Sequence, residues 1–194
     1  MGKTSKYVLK IAAVGVMSAL VFAASNVSIN LFTLLGGTTR IHLGNIMCLL
    51  SGLLFGGILG GLSAGIGSCF FDLFNPLYIS SAPFTFAFKF LMGFICGAIS
   101  HKGQASGQNL KMNIIGGICG QLAYILLYLS KSFIESVLVG NAPLTALADT
   151  GVKGAVSLVN AIIAVSVSVP LAFAIIKSLK NTGFYRLIND FEAN

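Results

Sequence analysis

The chain has 194 residues, of which 56% are hydrophobic and 9% charged, and twelve Lys and Arg against five Asp and Glu give a net charge of +7. A soluble domain carries roughly 25% charged residues, so this chain lacks the polar side chains to cover a water-facing surface, and a mean hydropathy of +0.91 identifies lipid as its solvent. At 20.2 kDa these residues amount to one membrane domain over 1–194, with no room among them for an aqueous catalytic or nucleotide-binding domain.

The apolar runs predict an all-α, polytopic membrane protein with six transmembrane helices, spanning approximately 7–27, 41–55, 57–74, 84–100, 112–139 and 152–178. Strands are not expected, because these runs do not alternate as a membrane barrel would. The first segment follows Lys3, Lys6 and Lys10 and ends in Ala23-Ala24-Ser25, which superficially resembles a secretory signal. Its small residues have another use: Gly15, Ala19 and Ala23 recur every fourth residue and form a ridge that lets a second helix approach closely. That ridge serves either packing within this protein or docking of a separate membrane subunit. Segments two and three are short, divided at Gly56-Gly57, and should stand near the bilayer normal or be partly re-entrant. A loop with Asn75, Pro76 and Pro83 precedes segment four. A polar stretch from His101 to Lys111 precedes segment five, and a loop with Gly140, Asn141 and Pro143 precedes segment six. The tail from Lys180 to Asn194 is the one stretch of soluble character. Glycine pairs at the same spacing, Gly52/Gly56, Gly57/Gly61/Gly65, Gly93/Gly97 and Gly116/Gly120, suit packing between the protein's own helices.

Basic residues set the orientation. With both termini cytoplasmic, the inner side holds Lys3, Lys6, Lys10, Lys102, Lys111, Lys177, Lys180 and Arg186, and the outer side holds Arg40, Lys131 and Lys153. Polar residues inside the spans are costly to place in lipid and mark candidate function. Asn45, Asp72, Lys89, Gln121, Tyr124 and Asn160 fall mostly in the outer half of the membrane, at the level of Arg40 and His42. Polar groups from several helices thus converge at one depth, as an outward-facing binding pocket requires. The alternative for Asp72 and Lys89 is mutual neutralisation as a structural pair. Lys131 and Glu135, four residues apart, read as an interfacial ion pair rather than ligand contacts.

Catalytic signals are lacking. Gly61-Leu62-Ser63-Ala64-Gly65 fits the hydrolase pattern G-x-S-x-G but lies within an apolar helix rather than at a strand-to-helix turn. Gly2-Lys3-Thr4 lacks the upstream glycine and strand of a phosphate-binding loop, so the chain cannot itself hydrolyse ATP. Cys48, Cys69, Cys96 and Cys119 form no CxxC and read as small packing residues. No catalytic residue, metal site, cofactor or nucleic-acid partner is expected. Neither an inverted repeat nor a paired-acid proton relay is evident, which points to a partner as the energy source.

The order Ile41-His42-Leu43-Gly44-Asn45, Leu53-Leu54-Phe55-Gly56, Gly65-Ile66-Gly67-Ser68 with Asp72-Leu73, then Ala82-Pro83-Phe84-Thr85-Phe86 with Lys89 and Gly93, resembles the substrate-binding S components of energy-coupling factor (ECF) vitamin transporters. The resembling group contains riboflavin, hydroxymethylpyrimidine and pyridoxine types. It is specific over roughly residues 40–97, and the layout extends it to the whole chain. The resemblance implies a bacterial cytoplasmic-membrane protein that captures a vitamin-type substrate from outside. It also implies association with a transmembrane coupling subunit and two cytoplasmic ATPase subunits, with Gly15, Ala19 and Ala23 as the docking face, and delivery by toppling within the bilayer. Arg40, His42, Asn45, Asp72, Lys89, Gln121, Tyr124 and Asn160 are the candidate substrate-binding residues. Two departures stand out: Asn45 occupies a position that is acidic in many relatives, and Gly56-Gly57 replaces a common Gly-Pro. A self-sufficient secondary transporter or channel is the competing expectation.

Overall fold

The computed structural model describes residues 3–36, 38–104 and 107–179. The tail with Lys180 and Arg186 lies outside the described residues, as does Gly2. Six α-helices make up the bulk: α1 Lys3–Asn26, α2 Gly44–Phe55, α3 Gly57–Leu73, α4 Ala82–Ser100, α5 Leu110–Leu138 and α6 Pro143–Leu179.

The all-α expectation fails between α1 and α2. There the chain forms an antiparallel hairpin, β1 Ser28–Phe32 and β2 Thr38–His42, in register Ser28 with His42, Asn30 with Arg40 and Phe32 with Thr38. Apolar and polar residues alternate along Ser28-Ile29-Asn30-Leu31, which favours a strand. The turn passes through Gly36 at φ 73°, a conformation glycine adopts without strain. The second predicted span is shortened accordingly, because Ile41 and His42 belong to β2 and the helix starts at Gly44. Helix α6 begins earlier than the predicted 152. Pro143 opens it, since proline suits a first helical turn, where its missing N–H has no partner to lose.

Helix α1, the stretch Ile79–Ser100, α5 and α6 are each long and apolar enough to cross a membrane. Helices α2 and α3, with 12 and 17 residues, fall short of the ~20 that a span requires. They turn into each other at Gly56, φ 78°, another position suited to glycine. Helix α2 is central and packs against each of the other five helices. Ten of its residues are buried, among them Cys48, Leu49, Leu50 and Leu53. Protein rather than lipid surrounds it, so its length need not match the bilayer.

Glycines let the helices approach closely. A Cβ on Gly93 of α4 would lie 2.8 Å from the Gly60 carbonyl oxygen of α3, and one on Gly61 2.8 Å from that of Phe90. Gly116 and Gly120 of α5 stand in the same relation to Cys96 and Met92 of α4. The outside is apolar instead: Ile114, Ile118, Leu122 and Leu126 of α5 and Leu158 and Ile162 of α6 are exposed. At most 33% of any long apolar window is buried, so these helices present most of their surface to lipid. Gly15, Ala19 and Ala23 are exposed too, with nothing within 4 Å of a Cβ on Gly15. Helix α1 packs inward through Ala13, Met17, Val21 and Ser25, and packing within this protein does not account for the small-residue ridge.

Candidate binding site

The hairpin, the end of α3, the first half of α4, the second half of α5 and the first part of α6 meet at one end of the bundle around a cavity of about 390 Å³. The apolar core of Met17, Leu49, Leu53, Met92, Val169 and Ile176 fills the rest of the bundle. Seven of the eight candidate residues line the cavity: Arg40, His42, Asn45, Asp72, Lys89, Tyr124 and Asn160. Gln121 does not line it. It lies buried behind Asn45, whose Nδ2 donates to Gln121 Oε1 at 3.4 Å.

Arg40 organises one wall. Its Nη2 donates to Asp72 Oδ1 at 3.2 Å. Its guanidinium lies 4.1 Å from the Phe71 ring centroid and 4.4 Å from that of Tyr78. Such stacking favours the planar, weakly hydrated guanidinium. The Asp72–Lys89 pair considered from sequence does not form, because Asp72 is spent on Arg40 and strand β2 brings that arginine to the end of α3. Lys89, 3% exposed, instead donates to Asn45 Oδ1, and its Nζ lies 3.7 Å over the Tyr124 ring. Tyr124 stacks on Tyr128 with centroids 5.9 Å apart.

His42 and Asn160 fix the hairpin. Asn160 Oδ1 accepts from the His42 backbone N–H at 3.1 Å, and its Nδ2 donates to the Arg40 carbonyl at 2.8 Å. Both amide atoms thus clamp β2 to α6, although the residue borders the cavity. His42 Nδ1 accepts from the Gly44 N–H at 3.2 Å, which places the ring proton on Nε2. His42 lies in the hairpin, outside the helices. Its burial first, then the charges of Lys89 and Arg40, hold the imidazole well below its ordinary pKa, so it stays neutral.

Two further ion pairs sit near the mouth. Lys131 and Glu135 form the expected i,i+4 pair at 2.7 Å, yet both also line the cavity, and Lys131 donates to Ser81 at 3.1 Å. The second was missed from sequence. Lys153 pairs with buried Asp149 at 2.9 Å and donates to Ser132 at 2.8 Å, while Asp149 accepts from the Leu35 N–H of the hairpin turn at 3.1 Å. The four-residue spacing of Asp149 and Lys153 was the available signal. Tyr78, from the loop before α4, was also missed.

The Gly-x-Ser-x-Gly serine is spoken for: Ser63 Oγ donates to the Leu59 carbonyl at 2.8 Å within continuous α3. No His/Cys/Asp/Glu group suited to a metal ion occurs among the described residues. The family described as "ECF-type riboflavin transporter, S component" matches this chain over residues 5–178. No individually curated protein matches it.

Proposed function

Because the chain belongs to the ECF-type riboflavin transporter S-component family, we propose that it captures a heteroaromatic micronutrient, with a flavin as the first candidate class, in the cavity at the outer end of its bundle. Members of this family are membrane-embedded substrate-binding subunits of transporters, not enzymes. The observation that carries the site assignment is convergence: side chains from β2, α2, α3, α4, α5 and α6 enclose one polar cavity in an otherwise lipid-facing molecule. Arg40 and Lys89 supply donors for ring carbonyls or anionic groups, and Asn45 adds a polar edge. Tyr124 and Tyr128 supply flat faces for a ring system. Asn160, His42 and Gln121 position the others.

The bias of Lys and Arg supports both termini being cytoplasmic, with Lys102, Lys111 and Lys177 at the end opposite the cavity. Arg40, Lys131 and Lys153 do not contradict it, because each is paired within the cavity rather than set in a loop. Six membrane crossings in a bacterial cytoplasmic membrane, with α2 and α3 as a short central pair, complete the topology. The exposed ridge of Gly15, Ala19 and Ala23 docks the transmembrane coupling subunit, which connects the chain to two cytoplasmic ATPase subunits. Toppling of this nearly charge-free bundle then carries the loaded cavity inward.

Mass spectrometry of small molecules released from the purified chain, paired with riboflavin titration and cellular uptake, tests this function. We expect a stoichiometric heteroaromatic compound and uptake that ceases without the coupling subunit. Uptake into vesicles holding this chain alone would replace the binding-subunit assignment with a self-sufficient transporter.

A further inference from the structure

Four cations line the cavity, and their partners differ. Arg40, Lys131 and Lys153 each pair with a carboxylate, at 3.2, 2.7 and 2.9 Å. Lys89 is the most buried of the four, and it has no acidic partner within ion-pair distance among the described residues. What it has is the neutral Asn45 carbonyl oxygen and the face of Tyr124. A dipole and a ring quadrupole offset only part of the cost of burying an ammonium group. Gln121 holds Asn45 so that its oxygen, not its NH₂, faces the lysine. On the same cavity, Arg40 Nη1 is buried with no hydrogen-bond partner, since Asp72 takes only Nη2. Lys89, a charge without a carboxylate in ion-pair reach, and Arg40, whose Nη1 is a buried donor without a partner, therefore both line the one cavity.

Resting on the binding-subunit assignment above, we propose that Lys89, beside the Arg40 guanidinium, forms an oxyanion subsite, so that the substrate this chain takes carries a carboxylate or phosphate. The arriving anion completes the charge balance that the protein leaves open. Hydrogen bonds between two ionised groups in such a site are roughly twice as strong as neutral ones. The subsite also selects: a neutral analogue leaves the Lys89 ammonium without an anion.

The test uses the full chain in lipid nanodiscs and two matched ligand pairs, each differing in one anionic group. Nicotinate against nicotinamide probes a carboxylate, and flavin mononucleotide against riboflavin probes a phosphate. Competition binding should show the anionic member of at least one pair held roughly tenfold or more tighter, and the responding pair identifies the group. Lys89→Met removes the cation, and Asn45→Asp supplies a built-in counter-ion while keeping the side-chain shape. Each should erase the preference. Equal or tighter binding of the neutral member in both pairs overturns the subsite, as does a preference that survives both variants or a failure of all four compounds to bind. The binding-subunit assignment is read separately, by whether uptake depends on the coupling subunit, and it survives a purely neutral preference.

Discussion

Removing Asp72 would leave the Arg40 guanidinium charged and uncompensated between Phe71 and Tyr78. Breaking a buried pair from one side costs about 3 kcal/mol or more, so Asp72→Ala should lower thermal stability clearly and weaken substrate affinity together, as read by thermal unfolding and equilibrium titration. Unchanged stability would mean that water already reaches Arg40. His42 makes a pH prediction of definite sign. Its pKa is depressed in the folded chain, whereas the unfolded imidazole titrates near 6.5. Below about pH 6.5 the unfolded state takes up a proton that the folded state refuses, so stability falls as pH falls. Melting temperatures at pH 7.5 and 5.5 should differ for the native chain and converge in His42→Gln, while a flat native profile would mean that His42 is protonated in place. At this scale the sequence disclosed which polar residues gather at the cavity but not whom they meet. Amides and charges within apolar runs are conspicuous because lipid penalises them. The partner of Asp72 was hidden, because it arrives from a strand whose fold-back leaves no trace in helical periodicity.

The element that periodicity concealed is the hairpin. Its alternation covers only a few residues between two strong apolar helices, and a window long enough to detect a span averages it away. Its attachment is easier to see in space: Asn160 bonds β2 at the His42 N–H and the Arg40 carbonyl, and Asp149 holds the turn at Leu35. Asn160→Ala removes both bonds to β2 and strands two backbone groups. The expected cost is about 1–3 kcal/mol for each buried group left unpaired. Hydrogen exchange should therefore accelerate at the His42 amide while the α3–α4 interface keeps its protection, and substrate affinity should fall because Arg40 moves with the strand. Protection unchanged at His42 would show that strand pairing alone holds the hairpin. The helices were legible for the opposite reason. They are apolar runs punctuated by Gly56, Pro83 and Gly140, and the starts of two were misjudged: α2, because Ile41 and His42 belong to β2, and α6, because Pro143 opens the helix instead of lying in the loop before it.

At the scale of the molecule, polarity is inverted: charges and amides gather inside at one end, and apolar side chains cover the outside. Most of that coat needs no explanation beyond lipid, but the ridge of Gly15, Ala19 and Ala23 does. Large side chains such as Ile11, Val16 and Leu20 flank it on the exposed surface of α1. Small residues give lipid little to contact and give a second helix a groove to enter. Enlarging them should therefore leave the isolated protein intact and disturb only an assembly. Ala19→Leu and Ala23→Leu point away from the bundle, so both variants should melt and bind substrate as the native chain does. Uptake should be lost, and so should co-purification with the coupling subunit. A contrast separates docking from folding. Gly67 of α3 faces Ser18 and Val21 of α1 with no room for a Cβ, so Gly67→Ala should lower stability by about 1–3 kcal/mol through overpacking. If Ala19→Leu and Ala23→Leu instead reproduced the instability of Gly67→Ala, the ridge would be a structural face. Normal uptake in both would place the coupling surface on another helix.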